Sequence, residues 1–282
     1  MKIMKKIAAI TIAAAALFAF AGCSDADDPN EMITGSNKNY EIDYTNTTEV
    51  ISRGYHSTAY KHAGAAVQLD FENVSKNANA GVMGLIFDLE EKDGVKSFNV
   101  IGVKTNNANG DLGFYVSRFE NVKDIQDENF GAWKKTDEKG NVVKDENGNE
   151  IKGPATETVY APKSGTFGTA QGVKSTEKDD TITVYAYAIE KLNETKQKYE
   201  YKVYLLNDNV GKLDSDGNLV TEDGKAINLS GVEPVATIPT EYTGSQPTQK
   251  KLAVYANVYN GKTLKGTWTY RGDYKEVGVD ED

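Results

Sequence analysis

Chemistry in this chain has few side chains to draw on. There is one cysteine, Cys23, and there are two histidines, His56 and His62, six residues apart. Two imidazoles fall short of a zinc site, which takes three or four ligands, and no carboxylate cluster flanks them at ligand spacing. They read as structural or surface histidines. The chain carries no Gly-x-Ser-x-Gly elbow, no His-Glu-x-x-His helix and no glycine-rich phosphate loop. Asp and Glu number 42, so carboxylate pairs arise by accident and a pair alone is weak grounds for acid–base chemistry.

Cys23 is informative through its position. Ahead of it stand a basic start (Lys2, Lys5, Lys6), an apolar stretch from Ile7 to Ala21, and small residues. That is the build of an export leader, too short for the roughly 20 residues of a permanent span. The run Phe20-Ala21-Gly22-Cys23 resembles a lipobox, the site where bacterial lipoproteins are diacylated on cysteine and cut just before it. The family prefers Leu where Phe20 stands. The resemblance implies a signal peptide over 1–22, lipidation of Cys23, and a membrane as partner through that anchor. A lone thiol in an oxidising compartment is a liability, and lipid removes it from disulfide and nucleophile chemistry alike. Ser24, rather than Asp, follows the cysteine, which in enteric bacteria resembles the pattern sorted onward to the outer membrane. The expected location is the bacterial cell envelope, at the outer membrane or cell surface.

The whole chain has net charge −10, and the leader takes three lysines with it. Polyphosphate binding needs clustered Lys and Arg, so no nucleic-acid partner is expected. From Ser24 to about Asn39 little could be buried, and residues 23–48 read as the lipidated cysteine and a disordered acidic tether. Residues 49–282 read as one β-sandwich with polar hairpin insertions near 136–153 and 207–231.

Period-2 alternation carries that fold reading. Ala65, Val67, Leu69 and Phe71 alternate with polar or small residues, and Gly81–Leu89 is apolar on both faces, as a central strand requires. Segments 181–189 and 199–206 read as a hairpin pair, and 252–259 with 263–270 as another, joined by Asn260-Gly261. Without a long stretch of helical spacing, the economical architecture is all-β: two packed antiparallel sheets.

A local repeat interrupts the strands at Asp137-Glu-Lys-Gly-Asn, Asp145-Glu-Asn-Gly-Asn and Asp214-Ser-Asp-Gly-Asn, with a weaker copy at Thr221-Glu-Asp-Gly-Lys. Alternating oxygen ligands before Gly resemble helix-loop-helix calcium loops, but here Gly comes fourth and not sixth. Turns capped by Asp and Asn explain the same residues without an ion. No cofactor is expected, with Ca2+ the one ion kept open. Glu41-Ile-Asp-Tyr-Thr-Asn46 resembles the Glu-x-Asp-x-x-Glu signature of jelly-roll glucanases until Asn46 replaces the last acid. A retaining glycosidase needs both carboxyls about 5 Å apart, so the match reads as chance.

Aromatics are the surplus: 16 Tyr and two Trp. Sugar rings stack on exposed Tyr and Trp while amides and carboxylates take the hydroxyls. Trp133, Tyr255, Tyr259, Trp268 and Tyr270 are the candidate ligand-binding residues, and no catalytic or metal residues are assigned.

The strands Gly81–Leu89, Gly113–Phe119 and Leu252–Gly261 resemble those of concanavalin-like or laminin-G-like jelly rolls. Such folds host sugar-binding modules, adhesins and glycosidases, so the resemblance implies a fold and no single activity. Three expectations follow. The first is a surface module binding glycan or another extracellular polymer, the second an accessory envelope lipoprotein acting through protein contacts, and the third a glycoside hydrolase.

Overall fold

The computed structural model describes residues 33–36, 39–44, 51–54, 57–60, 64–72, 81–105, 112–123, 143–149, 155–166, 182–206, 211–214, 218–221, 223–229, 231–243, 250–259 and 262–272. Among the described residues the regular structure is sixteen strands and no helix. Seven form sheet I, in the spatial order β1 (Ile33–Ser36), β2 (Asn39–Tyr44), β16 (Leu264–Tyr270), β5 (Gly64–Glu72), β10 (Ile182–Asn193), β11 (Lys198–Leu206) and β14 (Ala236–Pro239). Sheet II runs β3 (Ile51–Gly54), β15 (Lys250–Tyr259), β6 (Gly81–Lys92), β7 (Val95–Thr105), β8 (Leu112–Val122) and β9 (Thr156–Thr166). Its seventh strand, β4 (Ser57–Tyr60), pairs with the first half of β15, while β3 pairs with the second half. Two short strands, β12 (Lys212–Leu213) and β13 (Leu219–Val220), make a separate flap. The named pairings are antiparallel throughout, and the fold is an antiparallel β-sandwich.

The core follows from alternation. Successive side chains of a strand point to opposite faces, so one set from each sheet must meet the other. Leu69, Phe71, Val184, Ala186 and Trp268 of sheet I are buried with Met83, Leu85, Phe87, Ile101 and Val254 of sheet II. Each of the Leu, Ile, Val, Met and Phe side chains contributes about 1.5–3 kcal/mol when fully buried. β6 lies between β15 and β7, and its first nine residues are buried. The expected β10–β11 hairpin forms, with its ladder running from Tyr185 opposite Leu206 to Asn193 opposite Lys198.

Two expectations need correction. Segments 252–259 and 263–270 do not form a hairpin: β15 pairs with β6 in sheet II, and β16 pairs with β2 and β5 in sheet I. The chain crosses between layers there, because each segment has an apolar face that a partner in a different sheet buries. The 23–48 stretch is also not all tether. β2 alternates exposed Asn39, Glu41 and Asp43 with buried Tyr40, Ile42 and Tyr44, and it takes its ladder from β16.

The repeat builds the flap. Asp214 N–H donates to Asn218 O at 2.9 Å, and Asn218 N–H returns to Asp214 Oδ1 at 2.8 Å, closing the turn between β12 and β13. The next copy does the same with a hydroxyl: Thr221 N–H donates to Lys225 O at 2.8 Å and Lys225 N–H to Thr221 Oγ1 at 3.0 Å. Ile227 N–H then donates to Leu219 O at 2.8 Å, so a third pass lies beside β13. The Asp145 copy closes identically, and the Asn149 amide holds its carboxyl below the usual range. The copy at Asp137 lies outside the described residues.

Leu213 and Leu219 of the flap pack on Ala66, Tyr187 and Ile189 of sheet I's outer face. Tyr187 Oη donates to Gly211 O at 3.1 Å, pinning the flap's start. Gly211 has φ +121°, and a Cβ there would meet Val220 O at 1.8 Å, so only glycine lets the flap close.

Candidate functional site

Beyond the flap the outer face of sheet I carries the polar partners of the core residues. On β16 the outward positions are Lys265, Thr267 and Thr269, with Arg271 just beyond. On β5 they are Gln68, Asp70 and Glu72, and on β10 Thr183 and Tyr185. Register aligns them in rows across the sheet: Thr267, Asp70 and Thr183 in one, Thr269, Gln68 and Tyr185 in the next. Neighbouring strands lie about 4.8 Å apart, which brings these side chains within hydrogen-bond reach.

Asp70 is the centre. Its carboxylate accepts from Thr183 Oγ1 at 2.5 Å, Thr267 Oγ1 at 3.0 Å and Gln68 Nε2 at 2.9 Å. Arg271 Nη1 donates to Gln68 Oε1 at 3.3 Å, and its guanidinium carbon lies 5.9 Å from the centroid of the Tyr185 ring. Gln68, Asp70, Thr183, Tyr185, Thr267 and Arg271 are all half-buried, so their polar atoms are fixed yet reachable. At the rim Lys265 Nζ donates to Asp43 Oδ2 at 2.9 Å and Thr269 Oγ1 to Asn39 Oδ1 at 3.1 Å. The acidic run from Glu41 thus lies on this face, on β2. A half-open surface of hydroxyl, amide, carboxylate and guanidinium groups around an aromatic ring suits a ligand rich in hydroxyls.

A second polar group is interior. The β6–β7 register shifts between Phe87 and Glu90, and Asp88 sits in that bulge with φ +53°. Asp88 is 3% exposed, and its carboxyl meets Tyr201 Oη and Tyr242 Oη at 3.3 Å each and Arg118 Nη1 at 3.4 Å. Tyr242 Oη also donates to Glu90 Oε1 at 2.5 Å. Burial, then the Asp88 charge, pushes the Tyr242 phenol well above its ordinary value. Burial works against the Arg118 charge, yet Asp88 and Glu120 hold its pKa above the ordinary value. This cluster joins β6 and β8 of sheet II to β11 of sheet I. It fastens the two layers, and Asp88 is enclosed by them.

The predicted binding aromatics are not gathered on one surface. Trp268 is 0% exposed and lies edge-on to Tyr40 at 5.5 Å between centroids, with Tyr270 at 6.4 Å, also in the core. Their inward orientation corrects the expectation of exposed platforms, because the outward set of β16 is polar and the inward set faces sheet II. Tyr255 is buried on the outer face of sheet II, where its Oη accepts from Tyr115 Oη at 2.8 Å and Asn257 Nδ2 at 3.2 Å. Tyr259 is the last residue of β15, opposite Ile51, and its side chain is outside the described set. Trp133, His56, His62 and Cys23 lie outside the described residues as well. Gln68, Asp70, Thr183 and Thr267 occupy the polar phase of their strands, with Arg271 just beyond β16, and no local motif in the sequence marks them. Among the described residues no group of three or more His, Cys, Asp or Glu is placed to hold a metal.

The chain matches no protein-family model and no curated protein. Among solved structures it is similar to the crystal structure of a beta-porphyranase from the human gut bacterium Bacteroides plebeius. The two share 9% identity and a TM-score of 0.31, over 91% of this chain and 83% of that one. A likeness of that depth carries no inference about activity.

Proposed function

We propose that this protein is an exported, lipid-anchored glycan-binding protein of the cell envelope, held by Cys23 and contacting sugar through the outer face of sheet I. The observation that carries the reading is the Asp70 network beside Tyr185 and Arg271. A carboxylate already held by three side-chain donors keeps its geometry when a sugar hydroxyl arrives, which lowers the ordering cost of binding. The Tyr185 ring offers a stacking face in the same patch.

The test is a glycan array followed by calorimetry on the detergent-solubilised full-length protein. Tyr185→Ala should weaken the best ligand about tenfold, and Asp70→Ala by a similar factor, with circular dichroism checking that each variant keeps its β fold. An array without a ligand, or a ligand indifferent to both substitutions, would remove this reading. The anchor is tested apart: Cys23→Ser should move the protein from the detergent phase to the aqueous phase on phase separation. Retention in detergent would discard lipidation at that residue.

A further inference from the structure

Between the flap and the outer face of β10 and β11 lies a cleft of about 510 Å³, within the range of small-molecule sites. Its apolar lining comes from both sides: Ile189 from β10, and Leu219, Ile227 and Leu229 from the flap and the segment after it. Lys191 and Lys202 line the sheet side. Lys202 Nζ is held at 2.7 Å from Glu200 Oε1 and 3.4 Å from Thr237 Oγ1. Lys191 stands opposite Glu200 in the ladder, but that carboxylate is taken up by Lys202 and by Asn193 Nδ2 at 3.0 Å. The lining also contains Asp214, whose oxygens accept from the Asn218 amide and side chain at 2.8 and 3.3 Å.

Shape and donor chemistry are therefore distinct here. Lys202 is balanced by Glu200, and Lys191 lines a partly apolar cleft whose one lining carboxylate, Asp214, is bound by Asn218. The Asp70 patch is built otherwise, with hydroxyl and amide groups and no apolar floor. We infer that the cleft between the flap and sheet I is a separate binding site for a small organic anion with an apolar body, such as an aromatic sulfonate or a medium-chain carboxylate. Its apolar part sits against Ile189, Leu219 and Ile227, and its anionic group meets Lys191 and Lys202. Burial of the apolar part drives association, and the ammonium groups select charge.

Anilinonaphthalene sulfonate is the probe, titrated by fluorescence against the folded full-length protein, with decanoate and decanol as competitors. Expected are saturable binding of one dye per chain, displacement by decanoate at lower concentration than by decanol, and about tenfold weaker binding in the Lys191→Met, Lys202→Met double variant. Ile227→Trp, which fills the cleft, should abolish binding. Asp70→Ala, outside the flap cluster, should leave it unchanged, so failure here and failure of the glycan reading are distinguishable. Lys191 is exposed, so Lys191→Met alone should melt as the wild type does and weaken the dye about threefold, which keeps the test valid if Ile227→Trp, or the double variant that strips buried Glu200 of its cation, does not fold. No saturable binding, or dye affinity unchanged in the double variant, would overturn the inference.

Discussion

The outer faces of the two sheets obey one alternation rule and end in opposite conditions. On sheet I the outward residues of the central strands are Thr183, Tyr185, Gln68, Asp70 and Thr267, half-buried and hydrogen-bonded to one another. On sheet II they are Val82, Ile86, Phe98, Val100, Phe119 and Tyr255, a buried apolar cluster. Sheet II is thus apolar on both sides, as β6 shows residue by residue. The contrast is one of composition: sheet II buries apolar side chains on both faces, and sheet I keeps one face polar and half-buried.

Glycine sharpens the difference. Gly84 and Gly102 are paired at the middle of sheet II, between Tyr255 on one side and Tyr115 on the other. A Cβ on Gly102 would stand 2.4 Å from Tyr115 Cε1, so the phenol lies against the bare backbone and reaches Tyr255 Oη. Sheet I uses polar side chains at its centre instead, and these leave a half-buried polar face.

The largest predicted effect contrasts the two faces directly. Phe98→Ala, on the outer face of sheet II, should cost about 3–5 kcal/mol in chemical denaturation, whereas Gln68→Ala on sheet I should cost under about 1 kcal/mol. Similar losses at the two sites would erase the distinction. A middling effect is expected from Gly102→Ala, about 1–3 kcal/mol, because the Tyr115 ring must leave its seat. In a Tyr115→Ala background the same substitution should cost almost nothing, and a double-mutant cycle without coupling would show the seat to be irrelevant.

The smallest effect is one of pH. Burial, opposed by Lys202, raises the Tyr204 phenol above its ordinary value near 10, so the fold favours the neutral form. The associated stability is complete below about pH 10 and is lost as pH rises through the folded-state pKa. Tyr204→Phe should flatten the decline of unfolding temperature above about pH 10, and an unaltered slope would mean that Tyr204 ionises freely.

Much of the architecture could be read before folding was considered. The alternation in 65–71, the doubly apolar run 81–89 and the 181–206 hairpin correspond to β5, β6 and β10–β11. Less legible was the side each residue faces. Trp268 and Tyr270 have the even spacing of an aromatic platform, yet Lys265, Thr267 and Thr269 occupy the opposite phase and Arg271 continues it. Reading the whole strand, rather than its aromatics, assigns the two rings inward. The Asp70 network was hidden for another reason: Thr183 and Thr267 lie 113 and 197 positions from Asp70 along the chain. No local pattern links residues that only register brings together.

By itself the sequence determined strand content, turn chemistry and the division of each strand into polar and apolar phases, because these depend on near neighbours. The Asp-x-x-Gly-Asn turns belong to this class, since a side chain closes a bond four residues away. Tertiary structure decided that β15 and β16 separate into different sheets, that the flap lies over Tyr187, and that sheet I alone keeps a polar outer face. The physical reason is that alternation defines two faces for every strand, while the choice of which face meets another layer depends on contacts distant in the chain.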